Sequence, residues 1–390
     1  LNYSFSNRFT AMQPSIIREI LKATSGQNVI PFSAGNPAPE TFPVEAIRAY
    51  TQSILEEMPV AALQYGITEG YAPLRDVLKN HLHTRFASGK DMDELMIVSG
   101  AQQGIELACK VFCNEGDTII CESPSFIGSL NTFRSSGARL VGVPMETDGI
   151  HIGLLEQALQ TEKNVKLIYL IPSFQNPTGI TTSLEKRKAV YELARRYGVM
   201  ILEDNPYGEL RFRGEDVPTI KSMDEEGLVI YVGSFSKILS AGLRVGYVLA
   251  PDEVVSKMVV AKQGEDVHTA MLPQILAHKF MTEYDYAGHI ANIRDIYRRK
   301  CDLMEQSLEA HMQQSVTYTR PDGGLFLWCE LPSGISMLDY CKTAAERGVA
   351  VVPGTAFLVD ATASCNAFRL NFSTPSDEQI RQGIEILGRI

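Results

Sequence analysis

The chain has 390 residues, 45% of them apolar and 21% charged, and a formal net charge of −10. That length is more than one hydrophobic core readily fills, so two domains are expected, in a composition ordinary for a soluble globular protein. The acidic balance argues against a nucleic-acid partner, which needs a basic face, yet allows a small anion held by a local cluster of arginines.

Seven cysteines, an odd number without a C-x-x-C pair, read as reduced thiols of a cytoplasmic enzyme and not as a disulfide frame. His81 and His83 lack Cys or carboxylate partners at zinc spacing, so they read as surface histidines and no metal is expected. No apolar run approaches the roughly 18 residues of a membrane span. The opening LNYSFSNRF has no basic stretch followed by an apolar one, which speaks against secretion.

Taken in order, a polar arm leads into a short amphipathic helix on Ile16, Ile17, Ile20 and Leu21, closed by Gly26. IPFSAGNPAPETFP follows, too rich in Gly and Pro for a regular element. It is either a linker or a segment whose Gly35 lets backbone approach a ligand. Residues 44 to 86 are mostly helical, with a break that holds Tyr65 and Gly66. From Leu95 a strand, LMIV, runs into SGAQQG and then a helix with apolar Ile105, Ala108, Cys109 and Phe112. Unpaired amides and the helix dipole point the same way at such a turn, so Gly100, Ala101 and Gln102 are placed to cradle a phosphate. A second strand, in DTIICESPSFIG, leaves Phe126 just past its end.

Between Val165 and Tyr207 the pattern is strand, turn, helix and strand, the helix opened by a capping box at Thr182 and Glu185 and stopped by Gly198. The crossover of a βαβ unit is right-handed and its strands are parallel, so Asn176 and Asp204 emerge at the same sheet edge. An acid at the end of a buried strand is costly unless paired, so Asp204 requires a cation or a strong donor, unless the loop solvates it. The apolar run Leu228 to Val232 then delivers Lys237 to the rim, flanked by Ser234 and Ser236 and followed by Arg244. Hydroxyls and a planar guanidinium within one turn are good phosphate donors; a snorkelling surface lysine is the plain alternative.

After Ala250 the pattern is helical through about Phe280, and HIANIRDIYRRKCDLMEQSLEAHM gives a long amphipathic helix with Arg298, Arg299 and Lys300 on its solvated face. PDGGLFLWCELP and AVVPGTAFL read as turns and strands of a second domain. NAFRLNFS alternates, with Phe368, Leu370 and Phe372 on one side and Arg369 and Asn371 on the other. The fold expected is α/β: a large domain (46–277) with a mostly parallel sheet and helices on both faces, and a smaller α+β domain (278–390). Residues 1–45 form the arm and the first part of the small domain.

S-x-S-K-x(6)-R at Ser234 to Arg244, N-P-T-G from Asn176 and D-x-x-Y from Asp204 to Tyr207 resemble the fold-type-I, class I/II pyridoxal 5'-phosphate (PLP) aminotransferases, in pattern closest to the 2-aminoadipate and kynurenine group. Ala241 stands where relatives often carry Pro. The resemblance implies transfer of an amino group from an L-amino acid to a 2-oxo acid, 2-oxoglutarate being the expected acceptor, through a Lys237 Schiff base. It makes Lys237, Asp204 and Tyr207 catalytic, Asp204 facing the ring nitrogen and Asn176 and Tyr207 the phenolic oxygen. Phe126 is to stack on the ring, and Ser234, Ser236, Arg244 and the Gly100 to Gln102 amides are to hold the phosphate. Arg369 and Gly35 are to receive the substrate carboxylate, and Tyr65 is to reach the neighbouring site of a homodimer. A PLP lyase shares every cofactor residue. A PLP-sensing regulator needs a basic DNA-binding segment ahead of it, which the arm does not offer, and a nucleotide module needs a G-x-G-x-x-G turn that Gly100 does not supply. Side-chain selection is expected from loops and from the arm around Tyr3, Arg8 and Gln13.

Overall fold

The computed structural model describes residues 3–10, 29–313, 315–360 and 362–390. The helix expected on Ile16, Ile17, Ile20 and Leu21, its stop at Gly26, and Gln13 lie outside them. Among the described residues the strands form two sheets. The larger comprises β1 (Asp93–Val98), β2 (Thr118–Ser123), β3 (Arg139–Glu146), β4 (Gly149–Ile150), β5 (Val165–Leu170), β6 (Met200–Asp204), β7 (Val229–Ser234) and β8 (Gly246–Pro251). Their spatial order is β1-β8-β7-β6-β5-β2-β3-β4.

β2, β3, β5, β6 and β7 run parallel, and β8 is antiparallel to β7 and β1. The reversal at β8 has a simple cause: residues 235–245 are too few for a parallel crossover, which takes about a dozen or more, usually as a helix. The strands are continuous apolar runs because both faces are covered. Ile119 and Cys121 of β2 pack into the core on one side and Ile120 into the core on the other. Chain direction across the sheet reverses between β2 and β5, and the crevice beyond the carboxyl ends of such a pair is where open α/β sheets take ligands.

The smaller sheet is antiparallel, in the order β11 (Val352–Pro353), β12 (Ala367–Asn371), β10 (Phe326–Glu330), β9 (Thr317–Tyr318). The helices Tyr286–His311 and Asp377–Gly388 pack on one another beside it. Residues near the start of the chain join this part. Ile30 bridges to Val349, and Phe32 O accepts from Asn371 N at 2.9 Å. That anchorage carries Ser33 to Asn36 to the carboxyl edge of the large sheet.

Four local expectations are corrected. The cap of the helix Leu184–Tyr197 is Ser183, whose Oγ accepts from Lys186 N, and not Thr182; Thr182 N is already spent on Pro172 O at 2.8 Å, which holds that residue outside the helix. Helix does not run unbroken to Phe280: Asp252–Gln263 and Met271–Glu283 are separate, and the buried Nζ of Lys262 gathers Asp266 and Thr269 from the chain between them. Arg298 and Arg299 lie exposed beside Asp295, but Lys300 is buried, donating to Pro375 O at 2.6 Å and pairing with Glu40 at 3.2 Å. His81 is half-buried and not a surface residue, because its Nε2 meets Glu209 at 2.6 Å.

Candidate active site

At the carboxyl edge of β2, β5, β6 and β7 the chain encloses a cavity of about 360 Å³. β6 ends in Asp204, and its following turn carries Tyr207. The loop after β5 brings Asn176, the loop after β2 brings Phe126, and β7 ends in Ser234 with Ser236, Lys237 and Arg244 on the loop that follows. From the far side come Gly35 and Arg369. Ala101 and Gln102 open the helix Ala101–Phe112 at one end of the cavity, and Gly100 is its N-cap with φ +81°. That φ favours glycine, and a Cβ there would lie 2.7 Å from Cζ of Arg244, so the guanidinium would also have to move. Gly246 is held more strictly, its Cβ position falling 2.7 Å from the Ala101 amide nitrogen, a main-chain atom.

Asp204 is 2% exposed. Its Oδ2 accepts from Tyr169 Oη at 2.8 Å, Tyr169 in turn accepts from Ser129 Oγ at 2.8 Å, and Oδ1 has no partner among the described residues. Burial raises the carboxyl to about 7, and the Tyr169 bond opposes that rise. Lys237 Nζ donates to Gly35 O at 2.7 Å, and burial, then Arg369, then Arg244, push its pKa down to about 8. Arg369 is buried, and burial pushes it down to about 10. Nη1 donates to Asn176 Oδ1 at 2.9 Å and Nη2 to Ser33 O at 2.8 Å, while Nε is unpaired. The guanidinium carbon lies 4.2 Å from the ring centroid of Phe326 and 5.1 Å from that of Phe357.

Asn176 Nδ2 reaches Tyr207 Oη at 3.4 Å, and burial raises the Tyr207 phenol above its ordinary range. Ser236 N donates to Ser234 Oγ at 3.0 Å, which folds both hydroxyls into one turn. Arg244 holds a left-handed backbone, φ +54°, and reaches across to Ser99 O at 3.3 Å. Such a conformation costs roughly 1–2 kcal/mol for a residue with a side chain, so the fold is spending stability to aim that guanidinium.

Arg369 does not face water as the alternation of its strand suggests. Ser33 and Ala34 cover that face of β12 and take its donors. Tyr65 is not in the cavity. It is 81% exposed, its ring set edge-on to His268 at 5.7 Å. Sequence reasoning missed Phe326, which lies under Arg369, and Tyr169 with Ser129 behind Asp204. Tyr169 left a signal, a lone hydroxyl in the buried run Leu167 to Leu170, where a phenol must find a partner. Among the described residues no group of His, Cys, Asp and Glu is arranged to hold a metal, all seven thiols are free, and no helix is long and apolar enough to cross a membrane.

An unpaired buried carboxylate oxygen, a partly deprotonated amine and a cluster of phosphate donors fit a phosphorylated pyridine aldehyde. Asp204 Oδ1 needs a proton donor, which a ring nitrogen is. No side chain caps the helix that opens at Ala101, which leaves the amides of Ala101 and Gln102 for an anion, whereas the Gly100 amide expected beside them is already given to Val98 O at 2.8 Å.

The family profile described as aminotransferase class I and II matches residues 27–387. The chain is 41% identical to aromatic-amino-acid aminotransferase 1 of Thermococcus litoralis, over 98% of this chain and 93% of that protein. It is 40% identical to the 2-aminoadipate transaminase of Thermus thermophilus, over 97% and 94%. The crystal structure of Pyrococcus horikoshii kynurenine aminotransferase, a complex with PMP, superimposes with a TM-score of 0.95 at 37% identity, covering 99% of this chain and 96% of that one.

Proposed function

The chain belongs to the class I and II aminotransferases, which use PLP to move an amino group from an L-amino acid to a 2-oxo acid, and from that premise we propose how its own residues divide the work. When bound, PLP supplies a sink for the electron pair left at the substrate α-carbon once its proton is removed. Lys237 would hold the cofactor and would carry a proton to and from the substrate α-carbon. An amine pushed down to about 8 spends part of its time unprotonated near neutral pH, which that task requires. Asp204 keeps a proton at the ring nitrogen through Oδ1. Asn176 and Tyr207 would donate to the phenolic oxygen, Phe126 would pack on the ring, and Ser234, Ser236, Arg244 and the amides of Ala101 and Gln102 would hold the phosphate. Arg369 would receive the substrate carboxylate, helped by the Gly35 amide, and so orient the α-carbon in the cavity.

The observation that carries this reading is the unpaired Oδ1 of Asp204, buried in the same cavity as Lys237 and Arg369. A buried charge without a partner is costly, and a protonated ring nitrogen removes that cost. The active form is a homodimer. Val60, Leu63, Tyr65 and Ile67 are exposed together, an apolar run of the kind a second copy covers, and Tyr65 extends from it toward the partner's phosphate. The acceptor is 2-oxoglutarate, the compartment the cytoplasm, and the division into domains falls near residues 45 and 277. Purified enzyme mixed with single amino acids, followed by the cofactor spectrum and then by return with 2-oxoglutarate, tests the assignment. At least one α-amino acid should convert the spectrum and 2-oxoglutarate restore it; release of the amino group as ammonia, with or without a thiol and with none passed to 2-oxoglutarate, would overturn it.

A further inference from the structure

Behind the cavity wall lies a set of buried polar contacts that the steps above leave unused. Glu122 stands near the end of β2 and Gln175 one residue before Asn176, on the two sides of the switch between β2 and β5. Both are fully buried. Glu122 Oε2 accepts from Ile171 N at 3.0 Å and from Gln175 Nε2 at 3.3 Å. Its Oε1 has no partner among the described residues.

The side chain of Gln175 is used to capacity. Nε2 also donates to Pro124 O at 2.8 Å, and Oε1 accepts from Thr178 N at 2.9 Å and Thr178 Oγ1 at 2.7 Å. Its main chain closes the same turn, with Gln175 N donating to Ile180 O at 2.8 Å and Gly179 N to Gln175 O at 2.6 Å. Asn176 sits inside that closed turn, with Oδ1 on Arg369 and Nδ2 toward Tyr207. In a dry site each of these bonds is costly to break, so Asn176 cannot shift without opening one of them. Pro124, tied to the same amide, lies on the loop that carries Phe126. One side chain thus ties the loop that carries Phe126 to the turn that carries Asn176.

We propose that Gln175, seated on the buried carboxyl of Glu122, is a positioning residue for amino-group transfer: it sets Asn176 against Arg369 and Tyr207 without lining the cavity. The inference rests on the assignment of Asn176 and Arg369 to cofactor and substrate made above. The Asn176→Ala variant alone tests that assignment, and the combination below tests Gln175.

Gln175→Ala, Asn176→Ala and the double variant are compared in three measurements. These are steady-state kinetics, binding of a non-reacting α-methyl amino acid by spectral titration, and affinity of the cofactor-stripped proteins for PLP. Gln175→Ala is expected to weaken α-methyl amino acid binding and raise KM about 10-fold or more, with PLP affinity changed less than about 3-fold. In the Asn176→Ala background the further effect of Gln175→Ala is expected to fall below about 2-fold, because the two act as one unit. An undiminished effect of Gln175→Ala in that background, or a loss confined to PLP affinity, overturns the proposal. An Asn176→Ala variant without effect overturns the earlier assignment instead. If Gln175→Ala does not accumulate as folded protein, Thr178→Val removes the hydroxyl that donates to Oε1 and accepts from Ile180 N at 3.3 Å, and leaves Gln175 itself in place. It is expected to move analogue binding the same way by about 3-fold, and no movement there also overturns the proposal.

Discussion

Nη1 of Arg369 donates to Oδ1 of Asn176 at 2.9 Å, across 193 residues of sequence. The guanidinium is pinned there on one side, to the Ser33 carbonyl on the other, and lies against the rings of Phe326 and Phe357. A planar fork held at this angle presents itself to a planar carboxylate, and lysine keeps the charge while losing the fork and the ring contact. Arg369→Lys is therefore expected to raise KM for both the amino acid and the 2-oxo acid about 10- to 100-fold with cofactor content unchanged. Initial rates against both substrates, with absorbance to count bound cofactor, check it.

Lys237→Ala removes the amine that the cavity presents. Transamination and the visible absorbance of covalently held cofactor are both expected to vanish, and borohydride should no longer fix the cofactor to the protein. Mass spectrometry after reduction decides: a variant that still takes up the cofactor mass irreversibly assigns the anchor to another lysine.

Asp204→Asn sets function against stability. In the folded protein the carboxyl is raised from 3.8 to about 7, so between those values the folded state binds more protons than the unfolded one. Stability contributed by this group accordingly falls as pH rises through that window. The cofactor-stripped Asn variant escapes the penalty, on the order of 4 kcal/mol at most above about pH 7. Its melting temperature is expected to exceed that of the parent at about pH 8 and to converge with it near pH 4. Turnover of the loaded variant is expected to drop roughly 10³-fold or more, as when one electrostatic stabiliser is lost.

Tyr169→Phe deletes the hydroxyl that donates to Asp204 Oδ2. A donor to a carboxylate favours its ionised form, so its loss moves the Asp204 pKa further upward. The acid limb of the kcat profile is expected to shift to higher pH with little change on the alkaline side. A uniform fall in kcat at every pH contradicts that role.

If Tyr65 completes the neighbouring site, two defective chains should repair one another. Lys237→Ala protein mixed with Tyr65→Ala protein, after subunit exchange, forms hybrid dimers in which one site has both the lysine and the tyrosine intact. Activity above that of either parent is expected, approaching one working site per hybrid. Activity that merely averages the parents removes Tyr65 from the site.

Much of this arrangement was readable beforehand because strand ends are readable. The parallel βαβ unit required Asn176 and Asp204 to emerge at one edge, and the abrupt end of the Leu228 to Val232 run required Lys237 to follow there. What escaped notice is set by packing between distant segments. Nothing local announces that Phe326 lies under Arg369, or that Lys300, flanked by two exposed arginines, turns inward to Pro375. Gln175 in a loop and Glu122 at a strand end carry nothing in the sequence that links them; only the adjacency of β2 and β5 makes them partners. The shift of the cap from Thr182 to Ser183 has the same origin, a backbone amide claimed by a residue ten positions earlier.

Gly100, Arg244 and Gly246 occupy one another's space: the first leaves room for the guanidinium of the second, and the third for the peptide that follows the first. Gly246 is not free to drift during descent, since a methyl there meets main chain, and a side chain at Gly100 requires Arg244 to move with it. Variation in this protein's lineage should therefore flow around that knot, and a homologue in which one member differs should prove to have rebuilt the whole corner.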